Sequence, residues 1–289
     1  MIDKFLEKCW DLWDDNRTLF FVYAAYPWDL LQPQDETSRH RGAKHFRRYG
    51  LRYMKSITSA QNKQLKHLSK LLSQSKARRE YGQTVLEGVH LLQAYLEAGY
   101  TPKQVYLPES KNTHSEIRDL ISSLDEDCIT WVGNEALSKI TSLNDADDVM
   151  TWIEIPPQGD LPLSGDCVVL DRLQDPGNVG TVLRSAAASG IKQIVLGNDC
   201  VDIWSPKVLR AGMGAHFLLN IYSRVSLLQW LDAYQDKIWA TALDGRNPSD
   251  LYQLDLNAPC AWVFGNEGSG RRCSNKKGSC KGLCFASAF

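Results

Sequence analysis

The sequence has no apolar run long enough to cross a membrane as a helix. Its nearest candidate, Leu19 to Tyr26, is much shorter than the roughly 20 residues that a span requires, and Pro27 and Asp29 follow it directly. A disulfide framework is also missing, because five of the eight cysteines are scattered singly along the chain. We therefore expect a soluble, cytoplasmic protein.

Common signatures of metal and nucleotide sites are absent as well. The clustered cysteines, Cys273, Cys280 and Cys284, have a spacing that matches no zinc pattern and no nearby His. No Walker motif is present, and no Gly-rich loop opens the second half. The sequence therefore predicts no metal and argues against a nucleotide-dependent α/β enzyme of another type.

Acidic residues are missing from a long stretch of a chain whose net charge is only -1: residues 39 to 79 contain no Asp or Glu. The same stretch holds the basic residues Arg39, Arg41, Lys44, Arg47, Arg48, Arg52, Lys55, Lys63, Lys66, Lys70, Lys76, Arg78 and Arg79. Such a block indicates either a phosphate-binding surface or the solvated face of a helix. Charge alone leaves both readings open.

The chain divides into four parts by composition. Residues 1–53 are first acidic and aromatic, then Arg-rich, and match neither later part. They are either a small accessory segment or the product of a start assigned upstream of Met54, and the second reading is favoured. Residues 54–155 alternate short apolar runs with helical patterns, as do residues 166–289, and a Pro/Gly-rich linker at 156–165 separates them.

The expected fold class is α/β, with a smaller α/β domain ahead of a mostly parallel sheet that helices cover on both faces. Apolar runs predict strands in the second half at 167–170, 193–196, 217–222, 238–243 and 260–264. In the first half, Leu65, Leu68, Leu71 and Leu72 predict an amphipathic helix that also carries the lysines from Lys63 to Lys76.

Two loops of the second half follow predicted strands, where open α/β sheets generally bind ligands. In the first, Asp175-Pro-Gly forms a turn, Asn178 suits a helix N-cap, and Arg184 follows in the second helical turn. In the second, Phe264 to Gly270, three glycines flank Glu267 and permit close approach of backbone to a ligand. Taken singly, each loop reads better as an ordinary capped helix or glycine-rich turn.

Together, in this order, the two loops resemble the SpoU (TrmH-like) family of RNA ribose 2′-O-methyltransferases of the SPOUT superfamily. Asn178, Gly180 and Arg184 fit its first motif and 264–270 its second, while 205–217 between them, with Arg210 and Gly214, also resembles the family. Segments of 57–88 resemble the RNA-binding domain that many members carry. The resemblance covers roughly residues 56–270.

The resemblance implies a trefoil-knotted sheet, S-adenosylmethionine as cofactor, a homodimer, and RNA, by analogy ribosomal RNA, as substrate. Arg184 would fix the ribose or its phosphate, since a guanidinium holds its proton too tightly to be the default base. Asn178 would brace the first loop and Glu267 would orient Arg184 or the cofactor pocket. The cofactor-binding residues would be Phe264, Gly265, Asn266, Gly268 and Gly270. The RNA-binding residues would be Lys63, Lys66, Lys70, Lys76, Arg78, Arg79 and Arg210.

The sequence departs from the family after Gly270. Residues 271–289 are rich in Cys and basic residues and lack the family's third motif, which resembles out-of-frame translation. We therefore expect an incomplete knot and weak cofactor binding. The alternative to an enzyme is an inactive RNA-binding remnant of one.

Overall fold

The computed structural model describes residues 56–111, 114–141, 149–240 and 257–265. Four of the predicted site residues, Asn266, Glu267, Gly268 and Gly270, lie outside these ranges. The predicted 1–53 extension, the closure of a knot and the altered segment after 270 lie outside them too.

The first unit is a mixed five-stranded sheet with helices. Its sheet order is β1-β4-β3-β5-β2, in which β1, β3 and β4 are parallel and β5 runs antiparallel to both of its neighbours. Its elements are β1 (Ser56–Ile57), α1 (Lys63–Ser73), α2 (Ser75–Tyr81), β2 (Gln83–Glu87), α3 (Val89–Glu97), β3 (Gln104–Pro108), a 3₁₀ turn (Glu109–Lys111), α4 (Ser115–Ile121), a second 3₁₀ turn (Glu126–Cys128), β4 (Ile129–Val132), α5 (Asn134–Ser138) and β5 (Met150–Glu154).

The basic amphipathic helix is confirmed, although it is interrupted. Asn62 caps its start by accepting a hydrogen bond from the Gln64 backbone N–H, and its four leucines are buried. Gln74 then adopts an extended conformation, so the chain restarts as α2 and ends at the left-handed Gly82. Lys76 was predicted on the first helix and lies on the second, because leucine periodicity does not reveal a break of one residue.

The second unit is a fully parallel five-stranded sheet of order β8-β7-β6-β10-β9. Its elements are β6 (Cys167–Asp171), α6 (Pro176–Ser189), β7 (Gln193–Gly197), α7 (Pro206–Gly212), a 3₁₀ turn (Ala215–Leu218), β8 (Asn220–Val225), α8 (Leu227–Ala233), β9 (Lys237–Ala240) and β10 (Cys260–Gly265). The α/β class with a mostly parallel sheet is thus confirmed. The strand predicted at 217–222 starts later, since left-handed Gly214 leads Phe217 into the 3₁₀ turn.

The linker lies against the second unit. Both polar atoms of the Gln158 side-chain amide bond Ser223 of β8, at 2.9 and 3.1 Å. Trp230 of α8 donates its indole N–H to the Pro162 carbonyl at 2.8 Å. The proline-rich segment is therefore fixed along the β8–α8 side of the sheet.

A single apolar cluster joins the two units. Leu86, Ile153 and Tyr95 of the first unit belong to the same buried cluster as Leu170 and Val208 of the second. The first sheet also packs α1 on its opposite face, where the four leucines contact Val85, Tyr106 and Met150. The units therefore share one hydrophobic core as well as having their own. Within the described residues, no helix combines the length and the apolar character needed to cross a membrane.

Candidate functional site

The two loops singled out in the sequence leave neighbouring strands at the same edge of the sheet. β6 and β10 are parallel, and their register pairs Phe264 with Leu170 and Gly265 with Asp171. The first loop therefore begins at Asp171 directly beside the position at which the second begins after Gly265. Residues 90 or more positions apart in sequence are brought together here by strand pairing, as Asp166 and Cys260 show with a separation of 94.

The first loop ends in a capped helix. Asp175, and not the predicted Asn178, is the N-cap of α6, because its Oδ1 accepts from the Asn178 backbone N–H at 2.8 Å. Pro176 occupies the first helical turn, which suits a residue without an amide hydrogen. Asn178 is therefore the third residue of α6, in the first turn, and it is exposed.

Gly180 is where α6 and α7 approach each other. A Cβ placed on Gly180 would lie 2.4 Å from the Ala211 Cβ, 2.5 Å from the Ala211 carbonyl carbon and 2.8 Å from the Gly212 nitrogen. These distances leave no room for any side chain. The glycine of the first motif therefore serves helix packing in this structure.

Arg184 lies one turn after Gly180 and close to the same face of α6. Its side chain is half-buried, and its Nε is buried with no hydrogen-bond partner among the described residues. An unsatisfied buried donor costs free energy, and a bound acceptor would recover that cost. The Nε of Arg184 is therefore available to an acceptor from outside the described residues.

Arg210 of α7 forms an ion pair with Glu87 of β2, and Glu87 is almost completely buried. Thr141 also donates its hydroxyl to Glu87, at 3.1 Å. The structure thus places Arg210, which was predicted to bind RNA, at the contact between the two units. Glu87 was not predicted as a site residue; its position at the end of a strand is the signal that could have found it.

The predicted basic surface is largely exposed, with one correction. Lys63, Lys66, Lys70, Lys76 and Arg79 are all exposed on α1 and α2.

Arg78 is the exception, with only 4% of its surface exposed. Its guanidinium bonds Asp202 of the second unit at 2.7 and 2.8 Å, and the carbonyls of Leu71 and Leu72 accept from it as well. The prediction that Arg78 contacts RNA is therefore wrong, because its donors are used within the fold.

Further contacts fix α7 and its flanking turns against the first unit. Thr84 donates its hydroxyl to the Trp204 carbonyl at 2.9 Å, within the buried region. A Cβ on Gly214 would lie 2.5 Å from the Ala94 Cβ, and Gly214 has a φ of 85°, so a side chain is excluded by space and by backbone conformation. No local pattern indicates these contacts, since each joins residues distant along the chain.

His216, in the 3₁₀ turn after α7, is a buried neutral histidine. Its Nε2 bonds the Ile203 carbonyl at 3.0 Å, while its Nδ1 has no partner among the described residues. Burial lowers the pKa of His216 to about 4, and the Ile203 contact opposes this shift. His216 is therefore uncharged at neutral pH and serves packing against Gly212.

Of the second loop, Phe264 and Gly265 lie within the described residues. Both are half-buried, and Phe264 packs against the cluster that the two units share. Within the described ranges, no group of His, Cys, Asp and Glu side chains is arranged to hold a metal.

Two family profiles match this chain in consecutive segments. The profile described as the SpoU rRNA Methylase family matches residues 166–278, and that of the MRM3-like substrate binding domain matches residues 62–151.

Curated relatives and a solved structure give a consistent picture. An uncharacterised tRNA/rRNA methyltransferase of Synechocystis is 36% identical over 226 residues, which are 74% of this chain and 79% of that protein. The human mitochondrial rRNA methyltransferase 3 is 35% identical and the alignment covers 69% of this chain, but the chain spans about half of that relative, 47%. The 23S rRNA (guanosine(2553)-2′-O)-methyltransferase RlmP of Bacillus subtilis is 28% identical, over 75% of this chain and 84% of its own.

The AdoMet-bound rRNA methyltransferase from Sinorhizobium meliloti superposes with a TM-score of 0.66 at 25% identity, over 82% of this chain and 90% of that chain.

Proposed function

This chain belongs to the SpoU family of RNA methyltransferases, and on that premise we propose that it methylates a ribose 2′-hydroxyl of ribosomal RNA with S-adenosylmethionine as methyl donor. The observation that carries the proposal is the register of β6 and β10, which starts both motif loops side by side. The named activity of RlmP supports the 2′-hydroxyl of ribosomal RNA as acceptor. Residues 54–155 would bind the substrate RNA and residues 166–289 would carry the reaction.

One structural observation supports binding of the cofactor and an RNA substrate by the described residues. Arg184 Nε is a buried donor that no described protein group satisfies, and it suits an acceptor on a bound group. Phe264 and Gly265, with Asn266, Gly268 and Gly270 after them, are the residues that would hold S-adenosylmethionine. When bound, that cofactor supplies an electrophilic sulfonium methyl group.

The residues of this chain would contribute chiefly by positioning. Arg184 would hold the ribose or the adjacent phosphate through the planar set of donors of its guanidinium. Asn178 at the first turn of α6 would brace the loop beside it, and Glu267 would orient Arg184. Helix α6 is held at a fixed distance from α7 by the Gly180 contact, which fixes where Arg184 can reach.

The basic surface of α1 and α2 would bind RNA backbone. α1 has no acidic residue and α2 has one, Glu80. The exposed cations are Lys63, Lys66, Lys70, Lys76 and Arg79, and they provide sequence-independent attraction for phosphates. Arg210 is paired with Glu87 at the contact between the two units, so it would contact RNA only if the RNA reaches that contact. The homodimer stays a prediction. The cytoplasmic location also stays a prediction, because some relatives are named as mitochondrial and others are not.

The proposal is tested by two measurements on the full chain. Isothermal calorimetry with S-adenosylmethionine measures cofactor binding, and transfer of a tritiated methyl group to unmodified ribosomal RNA measures the reaction. Resistance of the labelled RNA to alkaline cleavage at one linkage would identify a 2′-O-methyl group. Label in a base, or RNA binding without any cofactor binding, would overturn the proposal, and the latter result would identify the chain as an RNA-binding protein without activity.

A further inference from the structure

Three aromatic rings meet at the surface of the first unit, beside the basic helix. His67 of α1 contacts Tyr81 and Trp152 edge to face, with ring centroids 4.8 and 5.2 Å away. Tyr81 ends α2, and Trp152 lies in β5. We call His67, Tyr81 and Trp152 the aromatic platform.

Hydrogen bonds hold the platform in place. The Gln83 side-chain oxygen accepts from the Trp152 indole N–H at 3.1 Å and bonds His67 Nε2 at 3.0 Å. One amide oxygen thus fixes the two inner rings, whose planes cannot turn freely. A ring held in this way loses little conformational entropy when it binds a flat partner.

Tyr81 is the most exposed member of the platform, with 47% of its surface exposed, whereas His67 and Trp152 are half-buried. Tyr100, the other exposed tyrosine in the described residues, differs because its ring stacks on Tyr95 and lies beside Phe217 at the contact between the units. The exposure of Tyr100 is therefore explained by the fold, and that of Tyr81 is not.

Cations lie on the α1 side of the platform and beside Trp152. On α1, Lys63 precedes His67 by one turn and Lys70 follows it by three residues, and both are exposed. Lys103 lies 5.8 Å from the centre of the Trp152 ring and also pairs with Glu154. Glu80 adjoins Tyr81 and is exposed, so one side of the platform carries a negative charge and the α1 side is positive.

We propose that the aromatic platform binds an unpaired nucleotide of RNA, with the base stacked on Tyr81 and the adjoining phosphates on Lys63 and Lys70. Duplex RNA offers backbone but no free base face, whereas unpaired bases stack readily on Tyr, Trp and His. This inference rests on the proposed function for its choice of RNA as partner, and it makes unpaired segments the preferred substrate.

The test compares the full chain with Tyr81→Ala and Tyr81→Phe by fluorescence anisotropy, using a labelled 12-nucleotide single strand and a blunt 12-base-pair duplex of RNA. Loss of one stacked base should weaken single-strand binding by about 5- to 100-fold. Duplex binding should stay within about twofold, and Tyr81→Phe should bind both probes like the parent. The Lys63→Ala/Lys70→Ala double variant should weaken both probes and flatten the salt dependence.

Unchanged single-strand affinity in Tyr81→Ala would overturn the proposal, as would an equal loss on both probes or a parent chain that does not bind the single strand. Thermal unfolding of each variant by circular dichroism shows whether a loss is due to misfolding. Calorimetry with S-adenosylmethionine on the same proteins separates the two ideas. If the parent does not bind the cofactor, the proposed function is wrong, but the effect of Tyr81→Ala on RNA binding can still be read. If the parent binds the cofactor and Tyr81→Ala does not change RNA binding, only the proposal about the aromatic platform is wrong.

Discussion

Arg210 of α7 and Glu87 of β2 are 123 residues apart in sequence and form an ion pair between the two units. The Glu87 side chain is only 1% exposed and that of Arg210 is 29% exposed, so the ion pair places a carboxylate inside the protein next to a partly exposed cation. Because Arg210 precedes Ala211, which contacts Gly180, the pair connects the first unit to the helix that carries Arg184.

Removing that cation should destabilise the protein. Arg210→Ala removes the Arg210 guanidinium from the buried Glu87 carboxylate, and we expect the free energy of unfolding to fall by about 2 kcal/mol in urea denaturation. The matched control is Lys103→Ala, which breaks the more exposed Lys103–Glu154 pair and should cost less than about 1 kcal/mol. Equal losses in the two variants would show that the pair between the units adds nothing special.

A methyl group at position 180 should disturb α6 and α7 together. Gly180→Ala places a Cβ 2.4 Å from Ala211, so we expect a loss of about 1 to 3 kcal/mol in stability and a lower rate of methyl transfer. Ala211→Gly in that background should restore little, because the carbonyl carbon and the next nitrogen obstruct the same space. Thr181→Ala on the exposed side of α6 is the control; full rescue by Ala211→Gly would contradict the backbone contact.

Arg184 should matter for the reaction more than for the cofactor. We expect Arg184→Ala to leave S-adenosylmethionine affinity within a few-fold and to cut methyl transfer by about a hundredfold or more, because the contact would be made mainly in the transition state. Arg184→Lys keeps the charge but loses the planar donors, and should recover only a small part. The exposed Arg224 provides the control, Arg224→Ala. Full activity in Arg184→Ala would remove this residue from the mechanism.

The α1 surface should bind RNA through charge. Reversing Lys66 and Lys70 to Glu should weaken RNA binding strongly in a filter-binding titration and reduce its dependence on salt. Reversal of Lys192 and Lys237 is the control, since both are exposed at the amino-terminal ends of β7 and β9, opposite the site. Similar RNA affinities of the two double variants would show that the lysines of α1 form an ordinary solvated helix face.

His216 should make the protein less stable in mild acid. Its pKa falls from 6.5 in the unfolded chain to about 4 in the fold, so between these values the unfolded state binds the proton and the folded state does not. The contribution of His216 to the free energy of unfolding is fully present above pH 6.5. It declines as pH falls towards 4, by about 3 kcal/mol in total. His216→Gln keeps a neutral donor for Ile203, and the difference in unfolding free energy between parent and variant should vary with pH over this range. A constant difference would contradict the assignment.

Much of the fold follows from local patterns. In the second half, apolar runs located β6, β7 and β10 to within a few residues, because buried parallel strands are continuously apolar and each is bounded by turn residues. The break at Gln74 was missed, since no glycine or proline marks it, and the start of β8 was misplaced because Phe217 is buried without being in a strand.

The candidate site was only partly predictable. Both motif loops were predicted to follow strands, and the register of β6 and β10 starts them side by side, with Gly265 paired to Asp171. Arg78 was misassigned because its charge suggested solvent, whereas Asp202, 124 residues away, binds it. Contacts of this length, Glu87 with Arg210 among them, depend on how the units dock and leave no local trace in the sequence.

The position of β10 also has a consequence for synthesis on the ribosome. This strand lies between β6 and β9, yet it is the last described strand to be made. Until residue 265 has left the exit tunnel, β6, β7 and β8 can pair, but one apolar edge of β6 stays open and β9 lacks its described neighbour. Late pairing over such a sequence distance is slow and exposes strand edges to aggregation. Nascent chains stalled shortly before Cys260 should therefore depend on chaperones, and those released there should accumulate as insoluble protein.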